Sequence, residues 1–366
     1  TLIAAFVLWF MGSGTVKGFA QTLALGIALS MFTSMIVTKL ILNALFAIGL
    51  KDIKFYAIAK ATKTFDYLSK KVLFVVISVA MIGIGLLSMG MNKVSTGDIL
   101  NYSLDFKGGT ATNIAFESDM DIEEIESDVV PVFEEVLRGG GVVPQKVQGT
   151  TEVIFKTRTM TLEEREELST ALHEAFGVDE SKITTETISS TISGEMKSDA
   201  IVAVLVSTVC MLIYVWFRFK DIRFGASSVI CLLHDVLVVI AFYALAKVSV
   251  GSTFIACALT IVGYSINATI VIFDRIRENM TEMKRKDSLK DVVNLSINQS
   301  LGRSIFTSLT TFIMVFVLYI LGVTSIREFA LPLMIGIICG AYSSVCIAGS
   351  LWYTLRCKFE IAEDEE

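Results

Sequence analysis

Asp235 stands near the middle of an apolar run from Phe224 to about Ala246, a stretch long enough to cross a bilayer. A charged side chain at that depth costs about 2.5–3.5 kcal/mol on insertion scales, so it should face a bundle interior and mark a proton or ion path. Its neighbour His234 is the only histidine inside an apolar run. The plainer alternative is an aspartate hydrogen-bonded to a neighbouring helix for structural reasons alone.

Three further segments carry polar groups that a passive helix does not need. Gly263-Tyr264-Ser265-Ile266-Asn267-Ala268-Thr269 lies mid-span in the next apolar run. Its hydroxyls and amide, above all Asn267 and Thr269, can hydrogen-bond across helices or line a wet crevice. Asp274-Arg275-Ile276-Arg277-Glu278-Asn279 closes that run. The i,i+3 spacing pairs Asp274 with Arg277, and Arg275 is one position away. An interfacial salt-bridge cluster explains these three better than proton handling. Leu104-Asp105-Phe106-Lys107-Gly108-Gly109-Thr110 enters a polar region. Its paired glycines permit a tight backbone excursion. A phosphate cradle is a poor reading of it, because no helix is expected to start there.

No C-x-x-C or H-E-x-x-H spacing occurs, which argues against zinc and redox chemistry. No P-loop occurs either, so energy coupling would draw on an ion gradient or on a partner's ATPase. No metal, cofactor or nucleic-acid partner is expected. An intramembrane enzyme is disfavoured, since no second catalytic carboxylate or Ser/His pair is evident.

These residues sit in a chain rich in apolar side chains, with only 3 prolines to interrupt them. Spans are expected at Phe19–Leu42, Val72–Met91, Ala200–Phe217, Phe224–Ala246, Ser252–Phe273, Ile305–Leu321 and Phe329–Leu355. Leu2–Met11 adds a partial one. The chain starts inside it, at Thr1 with no signal-peptide region before it, which suggests a truncated first helix or a separate upstream half. Three short segments are rich in Lys and Arg: 43–71, 218–223 and 274–303. If every span is real they share one side, which the positive-inside rule makes the cytoplasm. From Lys93 to Lys197 acidic residues outnumber basic ones 21 to 9, which marks a solvated domain on the outer side. All six cysteines lie outside that domain, so its stability must come from its own core.

Two parts of the chain are similar without a gap. Phe6-Val7-Leu8 matches Phe316-Val317-Leu318, Gly12 matches Gly322, Lys17 matches Arg327, and Phe19-Ala20 matches Phe329-Ala330. Each copy carries a ladder of small residues at every fourth position: Gly26, Ser30, Ser34, Thr38 and Gly336, Gly340, Ser344, Ala348. Such ladders let helix backbones approach closely. Both copies run in the same direction, which makes a parallel repeat about an axis along the membrane normal.

The outer region reads as strand Thr110–Phe116, helix Ile122–Leu137 capped by Asp119 or Asp121 and stopped by the glycines 139–141, and strands Val142–Gln148 and Glu152–Thr157 around a Gly149-Thr150 turn. Helix Leu162–Phe176, between Thr161 and Gly177, and strand Lys182–Ile188 complete it. The order β-α-β-β-α-β is the ferredoxin-like pattern. The expected fold is a polytopic α-helical membrane protein of about eight spans, the first truncated, with an α+β ferredoxin-like extracytoplasmic domain. Its expected parts are a helix pair 1–42, a cytoplasmic linker 43–71, a membrane helix 72–91, the outer domain 92–198, a five-helix membrane domain 199–357 and an acidic tail 358–366.

The motifs, taken together, resemble a family. Leu104 to Thr110 is similar to the "LDFxGGT" entrance of the SecD–SecF protein-export membrane proteins. Tyr214 to Phe219 ("YVWFRF"), Leu232 to Val236 ("LLHDV") and Gly263 to Asn279 resemble that family's membrane motifs in order. Thr1 to about Leu42, with "GTVKGFAQTLALGI", resembles the last SecD helix pair. The resemblance covers nearly the whole chain and places it as the C-terminal part of a fused SecD–SecF protein, within the resistance-nodulation-division superfamily.

It implies that Asp235 is the family's proton-linked aspartate and that Arg275 and Arg277 are its arginines after the aspartate of "DRIR". It breaks at Ala268, where the family usually has Asp, so a mid-membrane carboxylate is missing. The implied function is proton-motive-force-coupled assistance to the Sec translocon in exporting unfolded proteins across the cytoplasmic membrane. The implied partners are the translocon channel, an upstream SecD half, the exported polypeptide and membrane lipid. Two alternatives are an exporter of lipids or small molecules from the same superfamily and a non-pumping translocon scaffold.

Overall fold

The computed structural model describes residues 2–11, 14–52, 65–139, 141–147, 150–283, 288–322 and 324–363. The membrane unit opens with α1 (Leu2–Met11), α2 (Gly14–Phe32), a π-helical turn Thr33–Val37, α3 (Thr38–Ala47) and α4 (Lys71–Thr96). The smaller unit carries α5 (Leu104–Lys107), β1 (Gly109–Ala115), α6 (Ile122–Glu124), α7 (Val130–Val136), β2 (Val143–Lys146), β3 (Glu152–Thr157), α8 (Leu162–Phe176) and β4 (Ile183–Ile188). Then follow α9 (Ser190–Phe219), α10 (Ile222–Ala246), α11 (Ser252–Thr281), α12 (Leu289–Leu321), α13 (Thr324–Tyr342), a second π-helical turn Ser343–Ala348 and α14 (Gly349–Glu363).

Among the described residues, seven helical stretches are long and apolar enough to cross a membrane. The eighth expected span, Leu2–Met11, is a helix of only 10 residues, about 15 Å at 1.5 Å per residue and half of a bilayer core. Several helices overrun their expected ends. α12 begins at Leu289 rather than Ile305, which brings Arg303 inside a continuous helix. Burial locates the core of this unit. Half or more of the apolar window is buried in α10, α11 and α13–α14 (50, 67 and 61%), against 0% in α2–α3, 11% in α4 and 17% in α12. The exposed faces of the outer helices carry Val72, Val75, Val76 and Val79 on α4 and Ile313 and Met314 on α12. A continuous apolar surface of this kind belongs in lipid.

The two repeat copies agree in three dimensions. Shifting Gly14, where α2 begins, by the matched offset gives Thr324, where α13 begins. The same shift takes the π turn at Thr33 to the π turn at Ser343. Helices normally avoid π turns, so the recurrence at matched positions marks a built feature.

The segment before α4 is clamped to α12 by side-chain amides. Asn298 bonds both the backbone N–H and the carbonyl of Phe65 (2.9 Å each), and Asn294 Oδ1 accepts from the N–H groups of Tyr67 (3.0 Å) and Leu68 (3.2 Å). Residues 53–64 of the expected linker 43–71 lie outside the described residues, as do residues 284–287 of the basic segment 274–303.

The smaller unit comprises Asn101–Ile201 and Ser249–Ser252. The short connection between α10 and α11 therefore joins the unit inserted between α4 and α9, through a Tyr102–Val250 bridge. The sheet order β2-β3-β1-β4 with all neighbours antiparallel is that of a ferredoxin-like fold. β3 alternates buried and half-buried positions, and its Val153 and Phe155 meet Ile125, Val129, Phe133, Leu168 and Leu172 in one core. Phe133 stacks on Phe155 at 4.4 Å.

Asp121, one of the two expected caps, forms a capping box with Glu124. Thr161 does the same with Glu164, and Gly177 closes α8 with φ 65°. The helix expected over Ile122–Leu137 is broken by a π turn at Ile125–Val129, which lets Ile125 and Val129 both reach the core. Gly140, Gln148 and Gly149 lie outside the described residues.

The Leu104–Thr110 motif corrects one expectation. A helical turn does begin at Leu104, but it is only 4 residues long. The glycines act as a clasp for the sheet. Gly108 and Gly109 have φ of 71° and 117°, and a Cβ on Gly109 would stand 2.3 Å from the carbonyl oxygen of Thr157. Thr110 Oγ1 accepts from the Met160 N–H (2.9 Å) and shares a hydrogen bond with Thr187 (2.9 Å), tying β1 to β4 and to the segment that follows β3.

Two outcomes follow. The domain Asn101–Ser190 folds when expressed alone, and Gly109→Ala destabilises it by about 1–3 kcal/mol. Gly139→Ala, with φ 87° and open space around it, costs less. Thermal unfolding of the two variants checks the order, and equal losses would refute the clasp. Second, Arg158 holds the Glu164 carboxyl down to about 2, aided by the Thr161 N–H. A depressed carboxyl stabilises the folded state above its unfolded value of about 4.5, and that contribution disappears as pH falls from there to about 2. Carboxyl NMR titration of the isolated domain should show Glu164 ionised at pH 3.5, and a normal glutamate titration would contradict it.

Candidate functional site

α10 is a 25-residue helix with Asp235 in its middle, and the carboxylate is completely buried. Four side chains from three helical segments surround it. Ser265 of α11 donates to Oδ2 at 2.5 Å, and Ser343, at the start of the second π turn, donates to the same oxygen at 2.8 Å. Cys339 of α13 donates its S–H to Oδ1 at 3.2 Å, and His234 Nδ1 lies 2.9 Å from Oδ1. Among the described residues no Lys or Arg pairs with Asp235, and His234 Nε2 has no hydrogen-bond partner.

The local sequence explains why these groups converge. Cys339 and Ser343 are i,i+4 on one face. The small-residue ladder beside them lets α11 come close. A Cβ on Gly336 would lie 2.3 Å from Ile261 Cδ1, and one on Gly340 would lie 3.2 Å from Ser265 Cβ. Ser344 hydrogen-bonds Thr269 at 3.0 Å and returns its hydroxyl to the Gly340 carbonyl at 2.6 Å. Gly336, Gly340 and Ser344 thus receive Ile261, Ser265 and Thr269, and the close approach delivers the Ser265 hydroxyl to Asp235.

This site can hold a carboxylate in either protonation state. A hydroxyl can donate to a carboxylate or, by rotating, accept from a carboxylic acid, so Ser265 and Ser343 serve both forms. The arrangement is not a hydrolase triad. The serines bond Oδ2 of the aspartate, the histidine bonds Oδ1, and a nucleophilic serine would need the histidine between them. His234 Nδ1, Asp235 Oδ1 and Cys339 Sγ lie within 4.8 Å of one another and are the donors a metal would find here. Hydrogen bonding accounts for their positions.

The other sequence candidates divide. Thr269 joins the site at one remove, through Ser344. Asn267 does not join it. Two positions from Ser265 is roughly 200° around the helix, and Asn267 is exposed, facing an open groove lined by Gly26, Ser30 and Ser34. The first-copy ladder is therefore uncovered, with nothing within 4 Å of a Cβ on Gly26.

Asp274, Arg275 and Arg277 lie on α11 beyond Thr269 and build a separate network. Asp274 pairs with Arg218 of α9 at 2.9 Å and with Arg277 at 3.4 Å. Arg275 bonds Gln299 of α12 and Glu278, both at 2.6 Å, and Asn279 bonds Ser296 and Gln299 at 2.8 Å. From Ser265 to Asp274 is about 13 Å along the helix. Asp105, Phe106, Gly108, Gly109 and Thr110 belong to the smaller unit's clasp.

Sequence reasoning missed Cys339, Ser343 and Arg218 as partners. Adjacent serines beginning a π turn were the available sign for Ser343, and the "YVWFRF" motif held Arg218. Ala268 reads differently in three dimensions. Position 268, where that carboxylate is missing, lines a cavity together with Arg303.

The chain is thus a polytopic membrane protein whose central spans hold a hydrogen-bonded carboxylate and whose helices are interrupted by an α+β unit. Residues 168–358 match the family described as protein export membrane protein SecD/SecF, C-terminal. SecDF of Brucella abortus is 33% identical over 353 residues, covering 96% of this chain and 45% of that protein. SecF of Alicyclobacillus acidocaldarius is 35% identical over 266 residues, covering 70% and 84%. The crystal structure of SecDF from Thermus thermophilus superimposes with a TM-score of 0.82 at 32% identity, over 97% of this chain and 47% of that one. The chain belongs to the SecD/SecF family of protein-export membrane proteins. It spans about half the length of the SecDF relatives it matches.

The packing makes a differential prediction. Gly340→Leu drives a side chain into Ser265 and costs about 1–3 kcal/mol by overpacking, whereas Gly26→Leu meets open space and leaves the isolated chain unchanged. Thermal unfolding of the purified variants in detergent checks this. Equal tolerance of both would refute the assignment of the second ladder as the packed one.

Proposed function

We propose that this chain works as a proton-driven accessory part of the Sec protein-export machinery, with Asp235 as the group that takes up and releases the proton. The observation that carries the reading is the fully buried carboxylate held by two hydroxyls, a thiol and an imidazole, with no Lys or Arg paired to it among the described residues. A carboxylate neutralised by arginine would be locked in its charged form, whereas this one can change charge while its neighbours reorient in place.

One elementary charge crossing 100 mV supplies about 2.3 kcal/mol, enough to bias a two-state rearrangement. The contacts that would respond are those crossing from α10 to α11 and to the π turn, because all of the Oδ2 bonds run through them. π turns interrupt helical hydrogen bonding and recur at functional sites, so Ser343–Ala348 is a suitable hinge.

The same reading gives the partners and the orientation. The basic segments face the cytoplasm and the ferredoxin-like domain faces outward, where it would meet the emerging polypeptide. The translocon channel, a SecD half and membrane lipid complete the surroundings. The Arg218–Asp274–Arg277 and Arg275–Glu278–Gln299 network holds α9, α11 and α12 together at the cytoplasmic ends and supports the moving parts without carrying protons.

Asp235→Asn keeps the size and hydrogen-bonding capacity of the side chain but cannot exchange a proton at physiological pH. Gradient-dependent export of a reporter protein should fall to the level of a strain lacking the protein, with the variant accumulating normally. Full complementation by Asp235→Asn would sink the proton-driven reading and leave a translocon scaffold in its place.

A further inference from the structure

We propose that a cleft between α11 and α12, separate from the Asp235 site, binds a small monovalent anion of the chloride class. The cleft encloses about 60 Å³ and is lined by Tyr264, Asn267 and Ala268 of α11 and by Arg303, Ser304 and Ser308 of α12, among others. A single water needs about 10–15 Å³ of such space, so a halide and a companion water fit.

Two independent features make this cleft selective for negative charge. The first is a pair of orphan hydroxyls. Ser304 and Ser308 are 4% and 8% exposed, and neither Oγ has a hydrogen-bond partner among the described residues. Their neighbours on α12 behave otherwise. Thr307 bonds the Arg303 carbonyl at 2.7 Å, Thr310 the Phe306 carbonyl at 3.0 Å and Thr311 the Thr307 carbonyl at 3.0 Å. That return to the preceding turn is the usual way a serine or threonine is satisfied within a membrane helix. Ser304 and Ser308, one helical turn apart on the buried face, keep their hydroxyls in reserve.

The second feature is an uncompensated cation. The Arg303 side chain forms no ion pair or hydrogen bond among the described residues. Arg303 is itself exposed, so it adds positive charge to the cleft lining without being held by a carboxylate. Ala268, on the α11 side of the same cleft, offers only a methyl group. Tyr264 already donates to the Thr307 carbonyl at 2.9 Å, so its hydroxyl is committed elsewhere.

The cleft therefore presents a guanidinium, two free hydroxyls and the carboxamide of Asn267, with no carboxylate among its lining residues. A metal cation finds no ligand charge in such a set. A halide can accept from the two serine hydroxyls and carries the charge that complements the guanidinium.

The test uses the purified full chain in detergent, with thermal unfolding followed by tryptophan fluorescence. Sodium chloride and sodium bromide are titrated against sodium gluconate and sodium sulfate at constant ionic strength. The expected result is a saturable rise in Tm with chloride and bromide and none with gluconate or sulfate. Ser304→Ala with Ser308→Ala should raise the half-saturating chloride concentration at least tenfold. Ala268→Asp, which places a carboxylate opposite Arg303, should abolish the chloride dependence. If either variant fails to fold, bromide-soaked crystals of the unaltered chain decide the matter, with an anomalous peak expected in this cleft. Equal Tm in chloride and gluconate, a halide dependence unchanged in both variants, or an absent bromide peak would overturn the proposal.

Discussion

The hydrogen bonding of one buried carboxylate constrains everything around it. An aspartate in the middle of a membrane-spanning helix must find donors from other helices, because its own backbone amides are committed to the helix. Asp235 finds them on α11 and on the α13 side, and those partners fix how three spans pack. Gly336 and Gly340 are small because α11 must come near enough for Ser265 to reach. The π turn begins at Ser343, whose hydroxyl meets the same oxygen. The most buried spans of the molecule, α10, α11 and α13–α14, are the ones that enclose this carboxylate.

The repeat gives this arrangement a second meaning. Its two copies share helix starts and π turns at matched positions, yet only the second is packed. The first presents Gly26, Ser30 and Ser34 to an open groove that also reaches Asn267. The second copy shows what such a ladder is for: a helix bearing a hydroxyl at the right height docks into it. Parallel repeats about an axis normal to the membrane place equivalent surfaces on opposite sides of a central interface. The groove at Asn267 is where the first copy's surface meets the helix that the second copy grips.

Much of this could be read from the sequence because the bilayer leaves few choices. A polar residue inside an apolar run must be satisfied, so Asp235 and the polar run Gly263–Thr269 are visible in the sequence, though Asn267 and Thr269 rather than Ser265 stand out there, and the ladders are visible as periodicity. The ferredoxin-like unit was legible for a different reason. Its caps, stops and alternating strands are local signals, and Asp121, Thr161 and Gly177 act where their residue types suggested. What stayed hidden depended on which long-range pairs meet. Nothing local ties Ser343 or Cys339 to a residue about a hundred positions earlier, or Arg218 to Asp274. Asn267 misled because membership of a polar run says nothing about which face of the helix a side chain takes. The short helix at Leu104 was missed because glycine pairs signal a turn without saying what precedes it.

If Asp235 changes protonation state during work, infrared difference spectroscopy detects the change at the carboxyl itself. The purified chain in a lipid film is stepped between acidic and alkaline buffer, and the carboxylic C=O stretch is recorded. The expected band appears on acidification, vanishes on alkalinisation, shifts in Ser265→Ala or Ser343→Ala, and is missing from Asp235→Asn. A spectrum in which no pH-dependent carboxylic band is lost on Asp235→Asn would show a carboxyl fixed in one state, and would contradict the proton-driven reading.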